Sequence, residues 1–244
     1  MSVLVVSGTG TGVGKTVVTA ALAALAAARG AAVAVVKPAQ TGAAPGEPGD
    51  LDEVRRLAAV DDLHEWARYP DPLSPAAAAR LSGRAPLSMR DVADRVATLA
   101  ETRRLVLVEG AGGLLVRYDE DGATLADLAR LLGAPVLVVV RAGLGTLNET
   151  ALTLEAMAGR GIEPGGVVIG SWPACPDLAA RSNVRDLETL AARPLAGALP
   201  EGAGRADPAT FLTMATTGLA PAYGGRFDAG DFRNAHDPTP RGMP

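Results

Sequence analysis

The stretch "VVSGTGTGVGKTVVTAALA", Val5 to Ala23, decides how the chain is read. It opens on β-branched residues, passes through alternating glycines and ends in a run of Ala, Val and Leu. A buried strand, a glycine-rich turn and a helix account for the three parts. Successive loop N–H groups and the helix N-terminus form a concave, positive site suited to phosphate. Lys15 then reaches toward β- and γ-phosphates, and the Thr16 hydroxyl offers a ligand to Mg²⁺. Counted back from Gly14, the usual spacing puts Thr9 where the first glycine belongs, with Gly8 and Gly10 on either side. Counted from Gly8, the loop is one residue longer than the common form. A dinucleotide-binding turn needs glycine at Val13 or Lys15 and finds neither, so that alternative fails. The remaining alternative is an ordinary turn with an incidental lysine. Gly-Lys-Thr at a strand–helix junction weighs against it.

Short β-branched runs recur beyond this stretch, at Val3–Val6, Val33–Val36, Leu105–Val108, Val136–Val140 and Val167–Ile169, with a weaker one at Leu195–Leu199. They lack polar alternation, as strands buried on both faces do. Helical stretches lie between most of them. Thr16–Arg29 stops at Gly30, Asp91–Leu99 sets Val92, Val96 and Leu99 on one face, and "TLAD" at Thr124–Asp127 has the form of a capping box. The expected fold class is α/β and P-loop NTPase-like, a mostly parallel central sheet flanked by helices on both faces. Residues 1–220 read as a single such domain. "GAAPGEPG", Gly42–Gly49, reads as a flexible loop, and residues 221–244 as a weakly ordered C-terminal tail.

Composition removes several function classes. The net charge of −4 argues against a broad nucleic-acid-binding surface. The longest apolar stretch, Val17–Ala28, is shorter than the roughly 20 residues of a membrane span. Cys175 is the only cysteine, so no internal disulfide forms, and the start lacks the basic and apolar regions of a signal peptide. A cytoplasmic location is expected. His64 and His236 are far apart in sequence and show no metal-ligand spacing.

The ends of the other strands carry the remaining chemistry, as open α/β sheets require. Lys37 follows four buried-type residues in "VAVVKPAQTG" and offers a second cation near the phosphates. A lysine snorkelling from a strand end is the bland alternative. Glu109 ends "LVLVE", the Walker-B position, where a carboxylate holds Mg²⁺ opposite Thr16. Asp50 and Asp52 open "DLDEVRRL", and either caps that helix or supplies a further metal ligand. "RAGLGTLNET", Arg141–Thr150, reads as a glycine-loosened helix start whose free N–H groups suit a carboxylate.

"GTGTGVGKT", "KPAQTG" and "VEGAGGLLV", in this order and spacing, resemble the dethiobiotin synthetase family, in which the lengthened phosphate loop is typical. The resemblance continues through "GLGTLN" and "GSWP" to "LPEGAG", covering about Met1 to Gly204. It implies that 7,8-diaminopelargonate, CO₂ and ATP become dethiobiotin, ADP and phosphate, with Mg²⁺. One amine takes up CO₂ as a carbamate, whose oxygen attacks the γ-phosphate. The second amine then closes the cyclic urea and expels phosphate. By the same resemblance Lys37 and Lys15 are catalytic. Thr16, Asp50 and Glu109 match metal ligands. Gly12, Val13, Gly14, Lys15, Thr16, Val17, Asp50, Glu109, Gly110, Ala111, Gly112, Gly170, Ser171, Leu199, Pro200 and Glu201 match nucleotide-contacting positions. Thr11, Lys37, Thr41, Gly145, Thr146, Leu147 and Asn148 match substrate-contacting ones. The family is a homodimer, with the substrate's carboxylate tail near the partner subunit.

Three positions depart from the family's pattern. Gly12 stands where an acid is common, Glu149 where a histidine is common, and "GSWP" replaces the Asn-Asp whose side chain reads the base. The co-substrate expected is therefore ATP or another nucleoside triphosphate. A partitioning-type ATPase switch of the deviant-Walker group is the rival reading. It requires a lysine early in the loop, where this chain has Gly10.

Overall fold

The computed structural model describes residues 3–238. Seven strands, β1 (Val3–Gly8), β2 (Val33–Thr41), β3 (Leu63–Tyr69), β4 (Leu105–Glu109), β5 (Val136–Val140), β6 (Pro164–Trp172) and β7 (Gly197–Pro200), form one sheet in the order β3-β2-β4-β1-β5-β6-β7. Every ladder between them is parallel. The helices are α1 (Lys15–Ala27), α2 (Asp50–Ala58), α3 (Pro75–Ser82), α4 (Met89–Thr102), α5 (Leu125–Leu132), α6 (Thr146–Ala158), α7 (Leu178–Ala191), α8 (Pro208–Gly218) and α9 (Ala229–His236).

Strand side chains alternate between faces. Leu4, Val6, Val33, Val35, Leu107 and Val139 pack beneath α1, α2 and α8. Val5, Ala34, Val36, Val106, Val108 and Val138 join the opposite layer, which takes in buried residues of α3 to α7. This double burial explains why the strands read as unbroken apolar runs. It also fixes the site. Lys37 continues the parity of Val33 and Val35, and Glu109 that of Leu107, so both point to the face that α1 covers. The capping box at Thr124–Asp127 forms in both halves and starts α5.

Four features differ from the sequence expectation. β3, "LHEWARY", was not expected as a strand, because it is an edge strand in which His64, Glu65 and Arg68 interrupt half-buried apolar residues. β2 runs on through Pro38 to Thr41, so Lys37 is a mid-strand residue. Beyond Val36 it pairs with β3 alone, on the edge side, where a proline costs least. The Gly42–Gly49 segment is tied down: the Arg68 guanidinium donates to the carbonyls of Ala44 at 3.3 Å and Glu47 at 2.6 Å.

The expected weakly ordered tail is helical and packed as far as it is described. Phe227 is buried, and Phe232 and His236 of α9 set their rings 4.9 and 4.7 Å from Trp172 at the end of β6. Isolated aromatics among Gly, Pro and Asp give no periodic pattern, which is why the sequence hid this helix. Residues 239–244 of that tail lie outside the described residues.

Candidate active site

Three adjacent strands, β2, β4 and β1, deliver the charged groups to one cavity of about 610 Å³. The loop after β1 wraps its floor and leads into α1. Gly14, the residue before α1, adopts φ 97°, and a Cβ there would stand 2.8 Å from the Gly170 carbonyl oxygen. Only glycine fits this left-handed position with β6 so close. Lys15 is 7% exposed, and its Nζ donates to the Gly10 carbonyl at 2.8 Å. Burial, reinforced by the Lys37 cation and partly offset by Glu109 and Asp50, brings its pKa down to about 8.

Lys37 is 3% exposed and stands at the centre of the polar cluster. Its Nζ lies 2.8 Å from Glu109 Oε1 and 2.5 Å from Asp50 Oδ2, and donates to the Gly110 carbonyl at 3.1 Å. Burial by itself lowers its pKa, but the two carboxylates outweigh burial and hold the ammonium well above its usual range. Paired with both carboxylates, Lys37 is held as a cation.

The Thr16 hydroxyl donates to the same Glu109 Oε1 at 2.9 Å. The other oxygen, Glu109 Oε2, is buried without a hydrogen-bond partner. A buried carboxylate oxygen left unpaired is costly, and it marks a place for a cation. The described residues contain no group of three or more His, Cys, Asp or Glu able to hold a metal unaided. Two carboxylates and a hydroxyl suit Mg²⁺, which takes its other ligands from phosphates and water. Asp50 and Asp52 have different surroundings. Asp52 Oδ2 accepts from the Gly49 N–H at 2.8 Å and caps α2, whereas Asp50 faces Lys37.

Thr11, Gly12, Gly14, Lys15, Thr16, Val17, Lys37, Thr41, Asp50, Glu109, Ala111 and Gly112 all line the cavity. Val13 is buried beneath the loop, and Gly110 contributes its carbonyl to Lys37. Gly170 and Ser171 lie at the end of β6 beside the loop, and Leu199, Pro200 and Glu201 follow on and after β7. None of these five lines the cavity itself. Gly145, Thr146, Leu147 and Asn148 at the start of α6 also stand outside it.

Sequence reasoning gave no role to Gln40 or Arg141. Gln40 Oε1 accepts the Asp50 N–H at 2.9 Å and so sets the start of α2 against β2. Arg141 holds the phosphate loop by donating to the Thr11 carbonyl at 2.8 Å. Gln40 sits within "KPAQTG", where its place was the one available signal.

The chain matches a family model described as an AAA domain over residues 2–208. It is 65% identical over 237 residues to the ATP-dependent dethiobiotin synthetase BioD of Frankia casuarinae, covering 97% of this chain and 100% of that protein. The chain belongs to the dethiobiotin synthetase family. A second member of the family, the BioD of a Parafrankia species, is 66% identical over 236 residues, covering 97% of this chain and 99% of that one. Among solved structures, a ParA family ATPase from Chlorobium tepidum superposes with a TM-score of 0.54 at 15% identity, covering 90% and 93% of the two chains. At that identity the likeness concerns the fold, so it gives no support to a partitioning switch over a dethiobiotin synthetase. No helix of the described residues is long and apolar enough to cross a membrane.

Proposed function

We propose that this chain is an ATP-dependent dethiobiotin synthetase that joins 7,8-diaminopelargonate and CO₂ into a cyclic urea at the expense of a nucleoside triphosphate. The observation that carries the reading is the convergence of Lys15, Thr16, Lys37, Asp50 and Glu109 on one cavity beneath a phosphate loop. A carbamate attacking a triphosphate brings two anions together, and their repulsion must be offset. Lys15 and Lys37 supply two cations on adjoining walls. Loop N–H groups and the start of α1 add fixed positive ends. The cavity excludes bulk water from much of this charge, which strengthens each interaction.

In this reading the carbamate oxygen displaces the nucleoside diphosphate from the γ-phosphorus, giving a carbamic–phosphoric anhydride. The second amine attacks the carbonyl carbon, and phosphate leaves with the bridging oxygen. Lys15 orients the β- and γ-phosphates. Lys37 stabilises charge on the transferring group and on the carbamate. Thr16, Asp50 and Glu109 would hold Mg²⁺, as the unpaired Glu109 Oε2 supports. When bound, Mg²⁺ neutralises charge on the phosphate oxygens. Gly170, Ser171, Leu199, Pro200 and Glu201 form the flank along which the nucleoside lies. No Asn follows Gly170–Ser171, so ATP and other nucleoside triphosphates are both candidate co-substrates.

A homodimer completes the site. The exposed leucines Leu115 and Leu152 line a cavity of about 470 Å³ that borders the phosphate loop, and the exposed Leu144 stands just before α6. A second copy covering this face would bring Gly145, Thr146, Leu147 and Asn148 to the carboxylate tail of the diamine. A free, exposed Cys175 suits a reducing cytoplasm. The test is incubation with 7,8-diaminopelargonate, bicarbonate, Mg²⁺ and each nucleoside triphosphate, with dethiobiotin detected by mass. Product that depends on nucleotide supports the proposal. Nucleotide hydrolysis without product, in every combination, would refute it.

A further inference from the structure

The third partner of Lys37 leads outside the cavity. The Gly110 carbonyl that accepts from its Nζ at 3.1 Å belongs to the peptide unit joining Gly110 to Ala111. The N–H of that same unit donates to the Tyr118 hydroxyl oxygen at 2.8 Å. A trans peptide is planar, with its C=O and N–H pointing in opposite directions. One rigid plate therefore has the Tyr118 oxygen at one end and the Lys37 ammonium at the other. Turning the plate would break both bonds together. Donation from the N–H also polarises the carbonyl toward the ammonium.

Tyr118 is itself firmly held. It is fully buried and lines no part of the site cavity. Its backbone N–H donates to the Ala123 carbonyl at 2.8 Å, and the Ala123 N–H donates to Asp119 Oδ1 at 2.8 Å. The next residue, Thr124, caps α5. The line of support thus runs from the start of α5, through a short turn and one phenol, to the peptide plate. Gly110 is closely backed by Leu125 of α5, so the plate has little room to tilt.

We propose that Tyr118 is a positioning residue for Lys37, acting through the Gly110–Ala111 peptide. The inference rests on the role proposed above for Lys37. Tyr118→Phe keeps the ring and removes only the acceptor, leaving the Ala111 N–H unpaired and the plate free at one end.

Tyr118→Phe is expected to lower the turnover number for dethiobiotin about fivefold to tenfold. The dissociation constant for the nucleotide, by calorimetry, should change less than the turnover number, because the phosphate loop is untouched and only Ala111 and Gly112 of the cavity wall adjoin the loosened peptide. A purely structural tyrosine would lower the melting temperature and leave turnover at saturating substrates unchanged, and that result overturns the proposal. Adding Tyr118→Phe to Lys37→Ala should cut the residual turnover no further, and an equal cut in both backgrounds also overturns it. A fully active Lys37→Ala refutes the underlying reading of Lys37. An inactive Lys37→Ala beside a fully active Tyr118→Phe refutes the positioning role alone. If Tyr118→Phe fails to fold, Asp119→Ala loosens the turn while keeping the phenol. A loss of about twofold to threefold is expected there, and unchanged turnover counts against the proposal.

Discussion

Replacing Lys15 by methionine should make the ligand-free protein more stable while abolishing its response to nucleotide. Lys15 is a buried ammonium at the start of α1, and in the proposed function it meets phosphate. It is 7% exposed, and its pKa falls from 10.5 to about 8, first through burial and then through repulsion by Lys37. At about 1.36 kcal/mol per pH unit, the folded state then carries a penalty of about 3 kcal/mol at neutral pH. Methionine has a similar unbranched stem and no charge. It forfeits the hydrogen bond to the Gly10 carbonyl, worth about 1 kcal/mol, so a net gain of about 2 kcal/mol remains. In a chain of this size that is a rise in melting temperature of roughly 4–8 °C.

The pH dependence follows from the direction of the shift. The penalty is complete below about pH 8 and fades as pH rises toward 10.5, where the unfolded lysine also loses its proton. The advantage of Lys15→Met should therefore shrink by about 2 kcal/mol between neutral pH and about pH 9.5. Differential scanning calorimetry at both pH values measures it. The parent should gain about 2.7 kcal/mol from nucleotide at a hundred times its dissociation constant, and the variant nothing. A variant less stable than the parent at neutral pH, or one still stabilised by nucleotide, would refute the reasoning.

Lys37→Ala should leave nucleotide binding within about threefold while lowering dethiobiotin turnover at least about a hundredfold, since Lys37 is asked to act on the transferring group. Titration calorimetry and the mass assay check the two halves, and a variant of near-normal turnover would remove Lys37 from the chemistry. Glu109→Gln keeps the size of the side chain and removes its charge, so the Mg²⁺ concentration for half-maximal turnover should rise about tenfold or more. Superimposable Mg²⁺ titrations of variant and parent would exclude Glu109 as a ligand. Phe232→Ala removes a half-buried ring from Trp172 and should cost about 1–2 kcal/mol, a fall of roughly 2–8 °C in melting temperature. An unchanged melting curve would mean that α9 contributes nothing to the domain's stability.

Much of the site was legible because its charges interrupt apolar runs. Lys37 and Glu109 each end a row of buried aliphatics, an expensive place for a charge unless another charge meets it. Their meeting was not legible. It depends on β2 lying beside β4 with Val36 opposite Val108, and no local pattern encodes that register. The helix cap at Asp52 and the site role of Asp50 share one acidic run, so only the direction of α2 separates them. β3 escaped notice because its single neighbour leaves it half wet, and α9 because three aromatic rings do the work of a periodic face. No local pattern marks Tyr118, since its partner at Ala111 belongs to the loop after β4.

The central claim is that an oxygen of CO₂ becomes bonded to the γ-phosphorus. The most direct measurement uses carbon dioxide labelled with oxygen-18, with product and phosphate analysed by mass within the first turnovers. One labelled oxygen should appear in each inorganic phosphate and the other in the urea carbonyl of dethiobiotin. Labelled dethiobiotin formed beside wholly unlabelled phosphate would contradict the account, because the carbamate oxygen would then never have attacked phosphorus.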